Sequence, residues 1–188
     1  MRRLADSLLR AQIAQGWQFG FILGCALAIT TGSEAVAGGD RATARAAMAA
    51  FADNCFSPFL TAETARRAFA FSDTTYDFYD LDPFSSAAPS PATTKVTPGT
   101  DRRCEIAFAG DYADKASEAA QNALAGEMIF TPAPVPAAFT ETDTTTLLAA
   151  RQLNPRRVAV VHVGTRQGPQ GTETFMRVER MTPTKDQD

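Results

Sequence analysis

The chain has 188 residues, a formal net charge of −3 and 45% hydrophobic residues. This length and composition suit one folded domain with a single core, and the acidic balance argues against nucleic acid as the principal partner, because phosphates attract basic surfaces. The chain contains one histidine and three cysteines, which limits the catalytic and metal-binding chemistry that it can carry.

The first predicted element is an export signal over residues 1–37. Arg2 and Arg3 give it a positive start, residues 19–31 form a short apolar run, and Ala35-Val36-Ala37 has the small-x-small pattern of a cleavage site. We expect cleavage near Ala37. Residues 38–188 then form the mature domain, which is periplasmic or secreted.

Two alternatives concern the membrane. A transmembrane anchor needs about 20 consecutive apolar residues, and the apolar run here is broken at residues 30–34, so we expect no transmembrane span in the mature chain. Ile22-Leu23-Gly24-Cys25 resembles a lipobox, which would make the protein a lipoprotein anchored at Cys25. Only a short apolar stretch precedes Cys25, which favours cleavage at Ala37.

Two helices are predicted at the start of the mature domain. Asp40 is a suitable N-cap for an alanine-rich helix that leads to Cys55. Met48, Phe51 and Cys55 recur at steps of three and four, which places the thiol on the buried face. Thr61 resembles the start of a second helix, and the two helices are expected to form an antiparallel hairpin.

An acidic extended segment and a loop follow. The segment 72–84 mixes aromatic residues with four aspartates whose spacing does not fit an EF-hand calcium loop, and we interpret it as a solvated edge. These aspartates are Asp73, Asp77, Asp80 and Asp82. Residues 85–100 are rich in Ser, Ala, Thr and Pro, which predicts a mobile surface loop closed by a type II turn at Pro98-Gly99.

A strand, a helix and an extended crossover come next. Alternation over residues 102–108 predicts a half-buried strand that contains Cys104. Residues 112–128 have a stripe of small side chains that favours a closely packed third helix. Residues 131–136 carry three prolines at alternate positions, which is typical of a polyproline-like crossover.

The last part of the chain predicts three strands, over residues 144–153, 157–165 and 172–181, with turns at Asn154-Pro155 and at residues 168–171. The predicted fold class is therefore α+β: an N-terminal helical hairpin, one strand, one helix, then a three-stranded antiparallel meander, with the helices packed on one sheet face. We expect a short disordered tail at the C-terminus.

Cys55 and Cys104 are the cysteines that remain after cleavage at Ala37, and we predict that they form a structural disulfide. Catalytic dithiols usually lie two residues apart at a helix N-terminus. Two distant thiols and one histidine do not complete a tetrahedral metal site. We therefore expect no metal and no cofactor.

The candidate site residues are one histidine and six arginines. His162 is the only side chain whose ordinary pKa lies near neutrality, which makes it the candidate general base. Its same-face neighbours Val160 and Gly164 are apolar, as is typical of a structural histidine. The arginines suit carboxylates and phosphates and are candidates for binding an anion or a partner. They are Arg151, Arg156, Arg157, Arg166, Arg177 and Arg180.

Several short motifs give the chain a family resemblance. They are Phe51-x-x-x-Cys55, Arg103-Cys104-Glu105-Ile106, the alanine-rich third helix and the closing strand over residues 173–180. With them the chain resembles a group of uncharacterised small secreted two-cysteine proteins of Gram-negative bacteria. The resemblance supports export and the cysteine pairing, and it implies no activity, substrate or catalytic residue.

The sequence thus predicts an exported soluble protein with a non-catalytic binding or accessory role. It does not identify the partner, for which an envelope protein and an anionic small ligand are the two candidates. The alternative is an envelope-acting enzyme in which His162 is the general base and nearby arginines bind an anionic group.

Overall fold

The computed structural model describes residues 33–126 and 131–182. The export signal as far as residue 32, the lipidation candidate Cys25, the predicted end of the third helix at Met128 and the C-terminal tail lie outside the described residues. The helices are α1 (Ser33–Asn54), α2 (Ala62–Ala68) and α3 (Ala113–Gly126). The strands are β1 (Thr74–Asp80), β2 (Thr100–Ala109), β3 (Thr131–Ala133), β4 (Thr145–Asn154), β5 (Arg157–Gly168) and β6 (Gly171–Met181).

The strands form one antiparallel sheet in the order β1-β2-β6-β5-β4-β3. The mixed helix and strand composition is as predicted, and β4, β5 and β6 follow one another as antiparallel neighbours. The prediction of a three-stranded meander beside one separate strand was wrong, because the sheet has six strands. β2 pairs with β6, placing Cys104 opposite Val178, and β1 continues the sheet beyond β2.

β2 is buried on both faces, although the alternation predicted a half-buried strand. Cys104 and Ile106 face the helices, while Arg103 and Glu105 on the opposite face are only 4% and 7% exposed. The charged side chains are buried because they meet opposite charges on neighbouring strands: Asp77 of β1 pairs with Arg103. A strand that lies inside a sheet can therefore look amphipathic in sequence.

The proline-rich crossover contains an edge strand. Residues 131–133 form β3, with Pro132 opposite Arg151 of β4. Proline lacks a backbone N–H, which an edge strand tolerates because one side of it has no partner strand. Residues 131–133 are extended, but as a strand paired with β4 and not as a free polyproline-like segment.

The helices pack against the sheet face that carries Ile106, Val161 and Met176. Phe51 of α1 and Ala120 of α3 lie in this core, with no exposed surface. α1 begins at Ser33, before the predicted N-cap Asp40. The predicted start of α2 is confirmed, because the Thr61 side chain accepts a hydrogen bond from the backbone N–H of Thr64.

The predicted loop 85–100 contains no helix or strand before β2 begins at Thr100, but it is attached to the sheet. Ser90 forms an isolated β-bridge with Asp80, and Arg103 donates a hydrogen bond to the carbonyl of Lys95 at 2.9 Å. The predicted turn at Pro98-Gly99 is present: Gly99 has φ of +85° and the Thr100 N–H donates to the Thr97 carbonyl at 3.1 Å. The mobility of this loop stays a prediction.

Gly164 permits a close approach between β4 and β5. A Cβ atom at this position would lie 2.3 Å from the Thr144 carbonyl oxygen, which accepts a hydrogen bond from the N–H of Thr165 at 3.0 Å. A side chain there would push the start of β4 away from β5.

Candidate functional site

A cavity of about 360 Å³ lies between the α1–α2 connection and the helix-facing side of β2, β4, β5 and β6. This volume falls near the lower end of the range for small-molecule sites, about 300 to 1,000 Å³. Most of the lining is apolar, and the Cys55–Cys104 disulfide forms part of it. The apolar side chains are Phe56, Pro58, Phe59, Phe84, Leu153, Ala159 and Val178, and the charged ones are Arg102, Arg157 and Arg180.

The disulfide and Arg102 hold one wall of the cavity. Cys55 and Cys104 are bonded, with their Cα atoms 5.5 Å apart, and join the end of α1 to β2. The buried Arg102 guanidinium donates to the carbonyls of Ser57 and Pro58, each at 2.8 Å, and to that of Leu60 at 3.2 Å. The turn between the helices is therefore fixed in place, and the cavity wall is formed before any ligand binds.

Two exposed phenylalanines border the cavity. Phe59 is 68% exposed and Phe84 is 56% exposed. Exposed large apolar side chains grouped beside a concave apolar surface are typical of interaction sites. Both follow a proline in an irregular segment, Pro58-Phe59 and Pro83-Phe84. The proline directly before each phenylalanine is the only sequence signal that could have indicated these two exposed rings.

Arg180 and Arg157 bind a group of aspartates beside the cavity. Arg180 donates through Nε to Asp101 at 2.7 Å and through Nη2 to Asp80 at 3.0 Å. Arg157 Nη2 lies 3.2 Å from an Asp101 oxygen and also pairs with Asp82. Arg157 donates a hydrogen bond to the Asp82 carboxylate, and this bond lowers the pKa of the Asp82 carboxyl. None of the three aspartates lines the cavity.

Phe84 packs on these guanidinium groups. Its ring centroid lies 5.3 Å from the Arg180 Cζ and 5.9 Å from the Arg157 Cζ, within the range of cation–π contacts. Nη1 of Arg180 is buried and has no hydrogen-bond partner among the described residues. A buried donor without an acceptor costs about 1–3 kcal/mol, so an acceptor that reached it would stabilise the site.

His162 lies on the other sheet face, away from the cavity. It stands in a row with Arg177 and Glu105 across β5, β6 and β2. Its Nε2 is 3.1 Å from the Thr145 Oγ1, and its ring packs edge to face on Phe175. Burial lowers the pKa of His162, and the positive charge of Arg177 lowers it further, so the imidazole is neutral at neutral pH.

The six candidate arginines are divided among three places. Arg157 and Arg180 line the cavity. Arg166 and Arg177 bind Glu105 on the opposite sheet face. Arg151 and Arg156 have no carboxylate partner among the described residues. Alternation along β5 and β6 already separates Arg157 from Arg166 and Arg177 from Arg180. The partners that each arginine meets depend on strand pairing, which spacing along one strand does not give.

Other site types find little support in residues 33–126 and 131–182. No group of three or more His, Cys, Asp or Glu side chains there is arranged to hold a metal ion. No helix in the same ranges combines the length and the apolar character needed to cross a bilayer.

Comparison of the chain with protein-family profiles, with curated proteins and with solved structures gave no significant match. The resemblance to small secreted two-cysteine proteins therefore stays a prediction, and any functional proposal depends on the geometry of the sites themselves.

Proposed function

We propose that this is an exported protein with a non-catalytic binding role, and that the cavity beside the Cys55–Cys104 disulfide is its binding site. The observation that carries the proposal is a preformed, mainly apolar cavity bordered by the exposed rings of Phe59 and Phe84. Exposing such rings to water is unfavourable, and a ligand with an apolar body would cover them.

The wall of the cavity supports binding without catalysis. Both terminal nitrogens of Arg102, Nη1 and Nη2, donate to carbonyls of the α1–α2 turn. The two cysteines of the lining are oxidised to a disulfide, so neither is available as a nucleophile. The only histidine lies on the opposite sheet face. The cavity offers shape and apolar surface, which suffice for binding.

The test is a titration of the oxidised protein with N-phenyl-1-naphthylamine, a neutral apolar dye whose fluorescence rises on leaving water. We expect saturable binding that Phe59→Ser weakens several-fold, since it removes an apolar contact. Leu81→Ser is the matched control, because Leu81 is 52% exposed and does not line the cavity.

A second variant, Ala159→Phe, fills the cavity from β5 and should abolish dye binding. Its melting temperature shows whether the fold is kept. The proposal fails if the wild-type protein shows no saturable binding, or if Phe59→Ser and Leu81→Ser weaken binding equally.

A second candidate function is an envelope-acting enzyme that uses His162 as general base, with Arg177 and Arg166 binding an anionic group of the substrate. The contact between the neutral imidazole and the Thr145 hydroxyl favours it. Both arginines are already paired with Glu105, at 2.5 and 2.6 Å, which leaves fewer donors for a substrate. If His162→Ala abolished turnover of a chromogenic ester or phosphate at an unchanged melting temperature, the enzyme would replace the binding proposal.

A further inference from the structure

We propose that the cavity prefers ligands that join an apolar body to one anionic group, such as an alkyl or aryl carboxylate, and that Arg157 binds the anionic group. The inference rests on the binding function proposed above and adds the chemical class of the ligand.

The charges of the lining have one sign. Among the described residues its charged side chains are Arg102, Arg157 and Arg180, and none of the described lining residues is a carboxylate. The aspartates that pair with these arginines lie outside the lining, so a ligand in the cavity is closer to the guanidinium groups than to the carboxylates. Coulomb energy falls with distance, and the nearer charges favour an anion over a cation.

Arg157 has donors available for a ligand. Its contacts with Asp82 and Asp101 all use Nη2, and neither its Nε nor its Nη1 has a hydrogen-bond partner among the described residues. Its side chain is 22% exposed, whereas that of Arg180 is 6% exposed. Arg157 therefore reaches solvent and the cavity at the same time, which suits it to hold a carboxylate that stays partly hydrated.

The remaining lining defines the apolar part of the ligand. Phe56, Ala159 and Val178 belong to the hydrophobic core and offer no hydrogen-bonding side-chain atoms. A volume of about 360 Å³ accommodates one short acyl chain or a small fused ring. A polyanion or a large polar ligand would leave these apolar surfaces unmatched.

The test compares three ligands that share a ten-carbon chain and differ in charge: decanoate and decylammonium below their critical micelle concentrations, and decan-1-ol below its solubility limit. Displacement of N-phenyl-1-naphthylamine from the oxidised protein measures their affinities. We expect decanoate to bind about tenfold more tightly than decan-1-ol, the usual gain from a hydrogen bond to a charged group, and decylammonium to bind most weakly.

Arg157→Gln should reduce the affinity for decanoate to that for decan-1-ol and leave decan-1-ol unchanged. Arg156→Gln is the matched control: Arg156 is adjacent and exposed but does not line the cavity. Asp82→Asn removes the Asp82–Arg157 ion pair while keeping Arg157. It therefore shows whether a lower affinity in Arg157→Gln comes from the lost ligand contact or from the lost ion pair.

The outcomes distinguish the two proposals. If decan-1-ol displaces the dye but decanoate does so no better, the anionic preference is overturned and the binding function stands. If neither the dye nor any of the three ligands binds, both the binding function and the anionic preference are overturned. If Arg156→Gln or Asp82→Asn lowers decanoate affinity as much as Arg157→Gln, Arg157 is not the binding group.

Discussion

His162 is the residue whose titration should be visible in the stability of the fold. Its pKa in the folded protein lies below the ordinary 6.5, because burial disfavours the imidazolium and Arg177 repels it. The unfolded chain therefore binds more protons than the folded one as the pH falls through 6.5. The free energy of unfolding should decrease with acidification in this range.

The measurement is urea unfolding at about pH 7.5 and about pH 5.5, on either side of the ordinary histidine pKa. The wild-type protein should lose more stability between the two than His162→Gln, which cannot titrate. Glu105 does not interfere, because its own pKa is lowered from 4.5, and the stability it contributes is lost only at more acidic pH. Equal losses in both proteins would show that His162 is not perturbed.

His162 also shows what a single strand cannot reveal. Its neighbours along β5, Val160 and Gly164, suggested an apolar setting. The cross-strand neighbours Arg177 and Phe175 decide its environment instead, and they come from a strand whose register was not known.

Among the elements, the ends of β1, β2 and β6 are joined by one buried carboxylate. Asp80 accepts from Arg180 Nη2 at 3.0 Å and lies 3.5 Å from Arg102 Nη1, and all three side chains are at least 93% shielded from solvent. Removing one member of a buried ion pair leaves an uncompensated charge, which typically costs about 3–5 kcal/mol.

Asp80→Asn should therefore lower the free energy of unfolding by about 3 kcal/mol. The matched control is Asp82→Asn, because the Asp82 side chain is 65% exposed and an ion pair in water contributes little to stability, so this change should cost much less than Asp80→Asn. Denaturant unfolding of both variants gives the comparison. Similar midpoints for the two would mean that the buried network does not stabilise the junction of these strands.

The element boundaries were predictable where one chain segment determines them. α2 has its own N-cap at Thr61, and β4 to β6 are separated by clear turns. The pairing of β2 with β6 was not predictable in this way, because it depends on contacts such as Glu105 with Arg177 between distant segments. The cavity was missed for the same reason: its lining comes from both sides of that pairing.

For the whole molecule, we predict that the exported protein begins at Gly38 and contains no free thiol. Ala44 is the first residue of α1 among the described core side chains, so cleavage after Ala37 would remove none of these. The disulfide closes a separation of 49 residues, for which chain entropy predicts a stabilisation of about 4 kcal/mol.

Intact mass and thiol titration of the protein recovered from cells that express the full chain, and unfolded without reductant, test this prediction together. Residues 38–188 with no titratable thiol are the expected result. A lipidated N-terminus at Cys25 would assign the protein to the membrane surface, and two titratable thiols would contradict the disulfide.

The position of β6 has a consequence for folding. β6 is the last strand of the chain, yet it lies between β2 and β5, so β1 and β2 cannot join β3, β4 and β5 until it arrives. Pairings between distant segments form slowly because the intervening chain must first be ordered. If the protein is exported as proposed, with its N-terminus first, it would therefore reach the far side of the membrane with its sheet still in two halves. Completion of the fold, and with it of the cavity floor, would be the last event of translocation.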